Sequence, residues 1–272
     1  MVQTLSHIKN LLASYGLHPK KRLGQNFLHD ANKMHAILAA SELEAGQHVL
    51  EVGAGTGALT SRLLEAGAKV LAVEVDRDMW PILDQEFASN EQLQIIRGDI
   101  LENKNHLNPE VIAELGDKPF KLIANLPYNV ASPLIVTLVS QFPQMSHAVI
   151  MVQKEVGDRL AARSGGGKDY GPLGIIVQAV CDVKEVCTLS PSCFWPRPSI
   201  HSSVILLTRK AVPVTDNLPK FQELVHTLFG KRRKQLGSIL GRDQALPEGV
   251  SYEMRPETLS LEQLAALCSL MS

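Results

Sequence analysis

Long apolar runs are missing from this sequence of 272 residues. The longest, at residues 174–180 and 204–207, fall well short of the roughly 20 residues that a helix needs to span a bilayer. The amino terminus, MVQTLSHIKN, also lacks the apolar segment and the small-residue cleavage site of a secretory signal. We therefore expect a cytoplasmic protein without membrane association.

Paired cysteines are missing as well. The four cysteines, at positions 181, 187, 193 and 268, form no CxxC pair and have no histidines at metal-ligand spacing. This pattern is typical of reduced thiols in a core or on a surface. It predicts neither a disulfide framework nor a metal site.

A net charge of one sign is lacking, with 27 Lys and Arg against 28 Asp and Glu, but the charges are unevenly placed. Residues 209–242 hold eight basic residues and two acidic ones, and Lys20, Lys21 and Arg22 form a second basic cluster. Basic regions on either side of a more acidic middle indicate phosphate contacts with a polyanion. On charge alone, a solvated helix face is the simpler interpretation.

The order of apolar runs predicts an α/β fold. Runs of strand length, separated by stretches of helical spacing, occur at residues 48–52, 70–75, 93–96, 120–124 and 148–152. This alternation predicts a parallel sheet covered on both faces. Two further strands, at 175–186 and 202–208, are joined by a proline-rich link and predict a hairpin that makes the sheet mixed at one edge.

After residue 210 the pattern becomes helical, at residues 221–229, 235–240 and 259–270. The sequence therefore predicts two domains, an α/β domain over residues 1–210 that includes an amino-terminal arm, and a small helical domain over residues 211–272. A glycine-rich patch at residues 164–167 is interpreted as a flexible loop, because the P-loop pattern would require Ser or Thr where Asp169 stands.

Polar residues follow the predicted strands where a ligand crevice would open. The turn EVGAGTG, residues 51–57, leaves the first strand, and Gly53 and Gly55 would let the backbone approach a ligand. Glu74 ends the next strand about 20 residues later, at the spacing of a ribose-binding carboxylate. These features indicate a nucleoside cofactor and fit both NAD and S-adenosylmethionine. Asp99, after the third strand, could accept from an exocyclic amine or form a cap or turn.

The stretch ANLPYNV, residues 124–130, follows the fourth strand. A purine amine is a poor nucleophile because its lone pair is delocalised, so acceptors around its N–H bonds would stabilise the positive charge that develops during attack on a methyl sulfonium. The side-chain oxygen of Asn125 and a backbone carbonyl at Leu126 or Pro127 could be those acceptors, and Tyr128 could stack on an extruded base. The alternative is an ordinary turn with Tyr128 in the core.

Together these residues resemble the ribosomal RNA adenine N6-dimethyltransferases, and among them the bacterial type that modifies two adjacent adenosines near the 3′ end of 16S rRNA. The matching segments are KRLGQNFL (21–28), EVGAGTG (51–57), EVD (74–76), GD (98–99), NLPYN (125–129), QKEV (153–156), YGPL (170–173) and FWPRP (194–198). The resemblance implies a Rossmann-like class I S-adenosylmethionine-dependent methyltransferase fold, with a mixed, mostly parallel seven-stranded sheet and a small C-terminal helical domain.

The resemblance also implies roles around the methyl donor. Asn26 and Leu28 would close over it, Gly53 would pack against it, and Glu74 would hold its ribose. Glu51 would lie near its methionine part and Asp99 at its adenine amine.

On the target side, Asn125 is implied between the donor and the base, with Phe194 opposite Tyr128 in a sandwich that adds roughly 1 to 3 kcal/mol per stacked base. Trp195 and His201 depart from the usual family pattern, and Trp195 is interpreted as a hydrophobic plug between domains rather than as a stacking residue. The basic residues Lys231, Arg232, Arg233 and Lys234 extend the match and are predicted to form a helix that contacts phosphates.

The predicted function is dimethylation of the N6 amines of two adjacent adenosines, with S-adenosylmethionine as the donor. The predicted substrate is 16S rRNA in the small ribosomal subunit or its precursor, and the enzyme is expected to be a monomer. The main alternative is a non-catalytic ribosome assembly factor that docks through its basic surfaces. An oxidoreductase function is supported only by the glycine turn and Glu74. Methylation of adenine in DNA is supported only by the chemistry, because the same amine is attacked.

Overall fold

The main sheet has seven strands in the computed structural model of the protein, which describes residues 3–271. The strands of this sheet and of two small two-stranded sheets are, in chain order, β1 (Phe27–Leu28), β2 (His48–Val52), β3 (Lys69–Glu74), β4 (Leu93–Arg97), β5 (Leu101–Asn103), β6 (His106–Leu107), β7 (Phe120–Asn125), β8 (Met145–Gln153), β9 (Cys181–Leu189), β10 (Phe194–Trp195) and β11 (Ser202–Arg209). The helices are α1 (Leu5–Ser14), α2 (Ala31–Ser41), α3 (Ala58–Glu65), α4 (Trp80–Phe87), α5 (Pro109–Leu115), α6 (Ala131–Gln141), α7 (Lys154–Ala161), α8 (Pro172–Val180), α9 (Leu218–Gly230), α10 (Leu236–Leu240) and α11 (Leu261–Leu270).

The strand order in the main sheet is β4-β3-β2-β7-β8-β11-β9. The first five strands run parallel, and β11 is antiparallel to both of its neighbours. The predicted mixed, mostly parallel seven-stranded sheet is confirmed, including its edge hairpin. Chain order reverses between β2 and β7, and open α/β sheets bind ligands beyond the carboxyl ends of their strands at such a point.

The central strands are buried on both faces. In β7, Leu122 and Ala124 belong to one hydrophobic cluster, whereas Ile123 between them belongs to another. The first cluster includes residues of α6, α8, α9 and α11, and the second includes residues of α2, α3 and α4. Helices therefore cover both faces, which explains why these strands read as continuous apolar runs rather than as alternating ones.

Lys121 is an exception within the core of β7. Its side chain is buried, and its Nζ donates to the backbone carbonyls of Ser41 and Glu42, at 2.8 and 2.6 Å. These carbonyls lie at the carboxyl end of α2, where the last carbonyls of a helix lack partners within it. The ammonium therefore caps α2 from the sheet.

The prediction of a strand over residues 175–186 was wrong in its first half. Residues up to Val180 belong to α8, and β9 begins at Cys181. All residues of α8 from Gly174 to Val180 are buried, including the polar Gln178, so the helix has no solvated face, and a short buried run of this kind cannot be told from a buried strand by its period. Pro172 at the start of the helix and Gly174, close to the carbonyl of Arg159, fit the helical interpretation.

Of the helices after residue 210, α9 and α11 pack on α8, and all three contribute residues to a hydrophobic cluster shared with the sheet. The Tyr170 hydroxyl also donates to the carbonyl of Leu259 at 2.8 Å. The predicted helix at residues 231–234 was wrong, because α9 ends at Gly230 and these residues form a turn. Adjacent cations repel one another on a helix, and a glycine weakens its last turn.

The amino-terminal segment crosses the glycine turn and the start of α4. Gln3 and Thr56 exchange hydrogen bonds, with the Gln3 amide donating to the Thr56 carbonyl and the Thr56 hydroxyl donating to the Gln3 side-chain oxygen, each at 2.7 Å. Ile8 and Leu12 of α1 pack in a third cluster to which Trp195 adds a partly buried ring. The ring of Trp195 thus packs against the amino-terminal arm, and none of the described members of this cluster comes from the predicted helical domain. Among residues 3–271, none of the helices has the length and apolar character required to cross a membrane.

Candidate active site

One cavity opens at the carboxyl ends of β2, β3 and β7, where the strand order reverses. With its open mouth included, the cavity encloses about 1170 Å³. It is lined by every residue predicted to bind the cofactor or the target except Phe194, namely Asn26, Leu28, Glu51, Gly53, Gly55, Glu74, Asp99, Asn125, Leu126, Pro127 and Tyr128. The fold brings these residues together from five separate stretches of the chain.

Glu74 ends β3 with its carboxylate against the glycine turn. Its Oε2 accepts from the backbone N–H of Gly55 at 2.7 Å, and its Oε1 accepts from the N–H of Asp76 at 2.8 Å. Gly55 has φ +57, and a Cβ there would lie 3.0 Å from the ring of Phe27, so glycine is required for this close approach. Burial raises the pKa of Glu74 above its ordinary value, although these backbone donors oppose the effect.

Val75, directly after Glu74, lines the same cavity and is 42% exposed, which is unusual for a large apolar side chain beside a sheet. An exposed apolar surface next to a ribose-type carboxylate suits the flat face of an adenine. The sequence analysis missed Val75, and its position directly after Glu74 was the available signal.

Glu51 lies deeper, on β2, and is 1% exposed. Its Oε2 accepts from the Thr60 hydroxyl at 2.7 Å. Burial, with a smaller contribution from the nearby charge of Glu74, raises the pKa of Glu51 to about 8, although the Thr60 hydrogen bond opposes the shift. A carboxyl held in this way favours a cationic partner, because a neighbouring positive charge would stabilise its ionised form.

Asp99 forms the turn that was one of its two predicted roles, and its role as an acceptor for an amine stays a prediction. Its Oδ1 accepts from the backbone N–H of Leu101 at 3.0 Å, so it forms a turn after β4. The residue is also exposed and lines the cavity. The second carboxylate oxygen is available to an amine on that side.

Asn125 ends β7, and its amide orientation is determined by a neighbour. Its Nδ2 donates to the backbone carbonyl of Asn26 at 3.0 Å. Because a carbonyl can only accept, the NH₂ of Asn125 must face Asn26, and its Oδ1 must point the other way. The ring of Pro127 lies beside Gly53, where an added Cβ would be 3.5 Å from it. The backbone carbonyl of Pro127 already accepts from the N–H of Val130 at 3.1 Å. The carbonyl of Leu126 is therefore the better candidate for a second acceptor.

Tyr128 lies at the mouth of the cavity, and its hydroxyl makes a hydrogen bond of 2.9 Å with the hydroxyl of Ser202 on β11. Ser202 is 1% exposed, so the hydroxyl of Tyr128 is fixed by a partner in the protein interior. Phe194 is also 1% exposed and belongs to the core cluster that contains Leu28. In this conformation the ring of Phe194 does not line the cavity, and the backbone of Phe194 pairs with that of Leu28 between β10 and β1, so its stacking on a target base stays a prediction.

The amino-terminal arm lines one side of the cavity through residues 23–28. Behind this lining, Asp76 accepts hydrogen bonds from the side chains of Lys20 and Gln25. These two contacts were not predicted from the sequence, since partners more than 50 positions apart leave no local signal.

The basic turn at residues 231–234 lies outside this cavity. Lys231, Arg233 and Lys234 are exposed. Arg232 instead donates to Glu257 at 2.6 Å and to the carbonyls of Gly167 and Lys168. Arg232 thus holds the glycine-rich loop against the helical region, and the other three cations are presented to solvent.

The strand order, the glycine turn, the carboxylate of Glu74 and the Asn125 turn define a class I S-adenosylmethionine-dependent methyltransferase. The chemistry of the cavity fits that donor, because it offers buried carboxylates for a cation and a ribose, and an apolar surface for an adenine.

Similarity to known proteins identifies the family within this class of methyltransferases. A family model for ribosomal RNA adenine dimethylase matches residues 16–271. A ribosomal RNA small subunit methyltransferase A from Geobacter sulfurreducens is 38% identical over 265 residues, covering 93% of this chain and 95% of that protein. A protein of the same name from Bacillus cytotoxicus is 36% identical over 283 residues, covering 98% and 96%. The crystal structure of a dimethyladenosine transferase from Plasmodium falciparum has a TM-score of 0.74 at 26% identity and covers 89% of this chain and 95% of that one. The chain therefore belongs to the ribosomal RNA adenine dimethylase family.

Proposed function

We propose that the protein dimethylates the N6 amines of two adjacent adenosines near the 3′ end of 16S rRNA. The observation that carries this proposal is the amide of Asn125, whose Oδ1 is directed away from Asn26 at the point where the donor and target parts of the cavity meet. An acceptor held there, beside the carbonyl of Leu126, matches what an aromatic amine requires to become a nucleophile.

The donor part of the cavity is assigned from its charges. S-adenosylmethionine, when bound, supplies an electrophilic methyl group on a sulfonium. Glu74 holds the ribose hydroxyls, since its oxygens are already oriented by Gly55 and Asp76. Glu51 faces the ammonium of the methionine part, Asp99 accepts from the adenine amine, and Val75 lies against the adenine face.

The target part of the cavity stabilises charge rather than removing a proton beforehand. The Oδ1 of Asn125 and the carbonyl oxygen of Leu126 accept hydrogen bonds from the two N–H groups of the amine. These hydrogen bonds favour a pyramidal nitrogen, whose lone pair is no longer delocalised into the ring. As the nitrogen bonds to the methyl carbon, the bond between that carbon and the sulfonium sulfur would break and S-adenosylhomocysteine would leave, while these oxygens stabilise the positive charge on the nitrogen. Loss of one proton to solvent restores a neutral amine, and a second transfer from a second donor molecule to the same nitrogen, again with loss of a proton, gives the dimethyl product. Tyr128, held by Ser202, stacks on the base.

The partner is proposed to be 16S rRNA within the small ribosomal subunit or its precursor. Relatives named ribosomal RNA small subunit methyltransferase A support this substrate. The exposed cations Lys231, Arg233 and Lys234 support phosphate contacts away from the cavity. A cytoplasmic monomer is proposed, since the substrate is assembled there.

The test is transfer of labelled methyl groups to undermethylated small subunits, followed by RNA digestion and identification of the labelled nucleoside. N6,N6-dimethyladenosine at neighbouring positions is the expected product. The matched control is Asn125→Ala, which removes the acceptor and leaves Glu74 and the donor cavity in place. It should bind both donor and subunits but transfer no methyl group. Subunit binding without any labelled product in the unmodified protein would instead favour the assembly-factor alternative.

A further inference from the structure

Residues 20–26, here called the strap, form a compact loop that crosses the donor end of the cavity before β1. The backbone N–H of Lys20 donates to the side-chain oxygen of Gln25 at 2.8 Å. The N–H of Leu23 donates back to the carbonyl of Lys20 at 3.1 Å, and Gly24 adopts φ +67. These bonds make the strap a compact, preformed loop.

Asp76 anchors the strap with both of its carboxylate oxygens. Its Oδ1 accepts from the Nζ of Lys20 at 2.5 Å, and its Oδ2 accepts from the Nε2 of Gln25 at 2.7 Å. Asp76 is only 3% exposed, so its oxygens are shielded from water, whereas the side chain of Lys20 is 27% exposed. Asp78 also contacts Lys20, at 2.5 Å, but its side chain is 41% exposed. Charge-assisted hydrogen bonds in such surroundings are among the stronger ones.

The strap also reaches the target side of the cavity. Its last residue, Asn26, offers the backbone carbonyl that receives the Nδ2 of Asn125. At the other end, the backbone N–H of Asp76 donates to Glu74. One anchored loop therefore connects the carboxylate of the ribose site with the amide of the target site.

We propose that Asp76 is a positioning residue, which holds the strap over the methyl donor and, through the carbonyl of Asn26, fixes the amide of Asn125. This inference rests on the proposed function, since it takes the cavity to be the donor site. It predicts that one buried carboxylate, which touches neither donor nor target, controls both donor release and the rate of transfer.

The first test compares Asp76→Asn with Asp78→Asn, two substitutions that remove the same charge. We expect Asp76→Asn to release labelled S-adenosylmethionine about tenfold faster or more and to lower kcat by about tenfold or more, with the KM for the small subunit unchanged. Asp78→Asn should stay within about threefold in each measurement, because the contact with Gln25 survives.

The second test exchanges the hydrogen-bond donor and the hydrogen-bond acceptor between positions 25 and 76. In Asp76→Asn the new NH₂ faces the Nε2 of Gln25, and a flip of the Gln25 amide gives no relief because its oxygen already accepts from Lys20. Gln25→Glu alone places two carboxylates against each other. In the double variant Gln25→Glu with Asp76→Asn, a hydrogen-bond donor again faces a hydrogen-bond acceptor at every contact. We therefore expect both the release of S-adenosylmethionine and kcat to recover to within about threefold of the original protein.

Several outcomes would overturn the proposal. Unchanged donor release and kcat in Asp76→Asn would do so, and so would a double variant as impaired as either single one despite unchanged thermal unfolding. If Asp76→Asn unfolds, Gln25→Leu removes the contact from the strap alone and should still accelerate donor release. Absence of methyl transfer in the unmodified protein would refute the proposed function instead, whereas donor release would still report on the strap.

Discussion

Replacement of Glu51 by Gln separates the electrostatics of the donor site from its shape. In the free protein the pKa of Glu51 is raised from 4.5 to about 8. At 1.36 kcal/mol per unit, a shift of about 3.5 units corresponds to a cost of about 5 kcal/mol, as an order of magnitude, for ionising this buried carboxyl. A cationic ligand offsets part of that cost. Donor binding should therefore release a proton from Glu51, and Gln at this position has none to release.

The expected result is a donor affinity that rises with pH between 6 and 7.5, by at most about tenfold per unit. The window ends there because an α-amino group begins to lose its own proton at about 7.7 to 8.0. At pH 7, calorimetry in buffers of different ionisation enthalpy should show close to one proton released by the original protein. Glu51→Gln should bind more weakly, with no pH slope and no proton release.

S-adenosylhomocysteine provides the control, since it keeps the ammonium and lacks the sulfonium charge. Equal proton release with both ligands would identify the ammonium as the partner of Glu51. If Glu51→Gln kept the same pH slope and the same proton release as the original protein, the assignment of Glu51 to the donor's ammonium would be wrong.

The same group makes the stability of the free protein depend on pH. Its folded-state pKa lies above its unfolded value, so the stabilisation from the protonated form is complete below about 4.5 and is lost as pH rises through about 8. The thermal midpoint of the free protein should therefore fall across this range, and Glu51→Gln should reduce the fall.

Three further predictions concern other parts of the molecule. Lys121→Met should lower the free energy of unfolding in urea by about 2 to 3 kcal/mol, because two carbonyls at the end of α2 lose their donor. Lys234→Ala should weaken RNA binding and reduce its salt slope by about one, whereas Arg232→Ala should mainly lower the thermal midpoint, since its partners lie within the protein. Ser202→Ala should raise the KM for small subunits without changing donor affinity, because Tyr128 loses the contact that orients its ring.

The sheet was predictable because its signals are local. Each central strand is a short apolar run bounded by polar residues, and the proline-rich link marked the hairpin between β9 and β11. The error at α8 has a physical cause, since a helix buried on all sides has no polar face to reveal its period. The split into domains at residue 210 stays a prediction, although the helices beyond it share a core with the sheet.

The site was predictable for a different reason. Parallel strands place their carboxyl ends at one edge, so Glu51, Glu74, Asp99 and Asn125 had to converge once the topology was parallel. The contacts of Asp76 were not predictable, because Lys20 lies 56 positions away and nothing in either segment specifies the other. Tertiary pairing of two polar side chains follows from how the arm folds back over the sheet.

Burial of Phe194 bears on how a target base is held. In this conformation Phe194 is 1% exposed and belongs to the core cluster that contains Leu28, and the backbones of the two residues pair between β1 and β10. A sandwich between Tyr128 and Phe194 therefore requires the ring of Phe194 to become accessible. Because β1 directly follows the strap, a movement of β1 that exposed this ring would also disturb the carbonyl of Asn26 and so the amide of Asn125. Stacking on Tyr128 alone keeps these contacts and supplies roughly 1 to 3 kcal/mol. In this conformation we therefore expect a target base to stack on Tyr128 alone, and the sandwich with Phe194 stays a prediction.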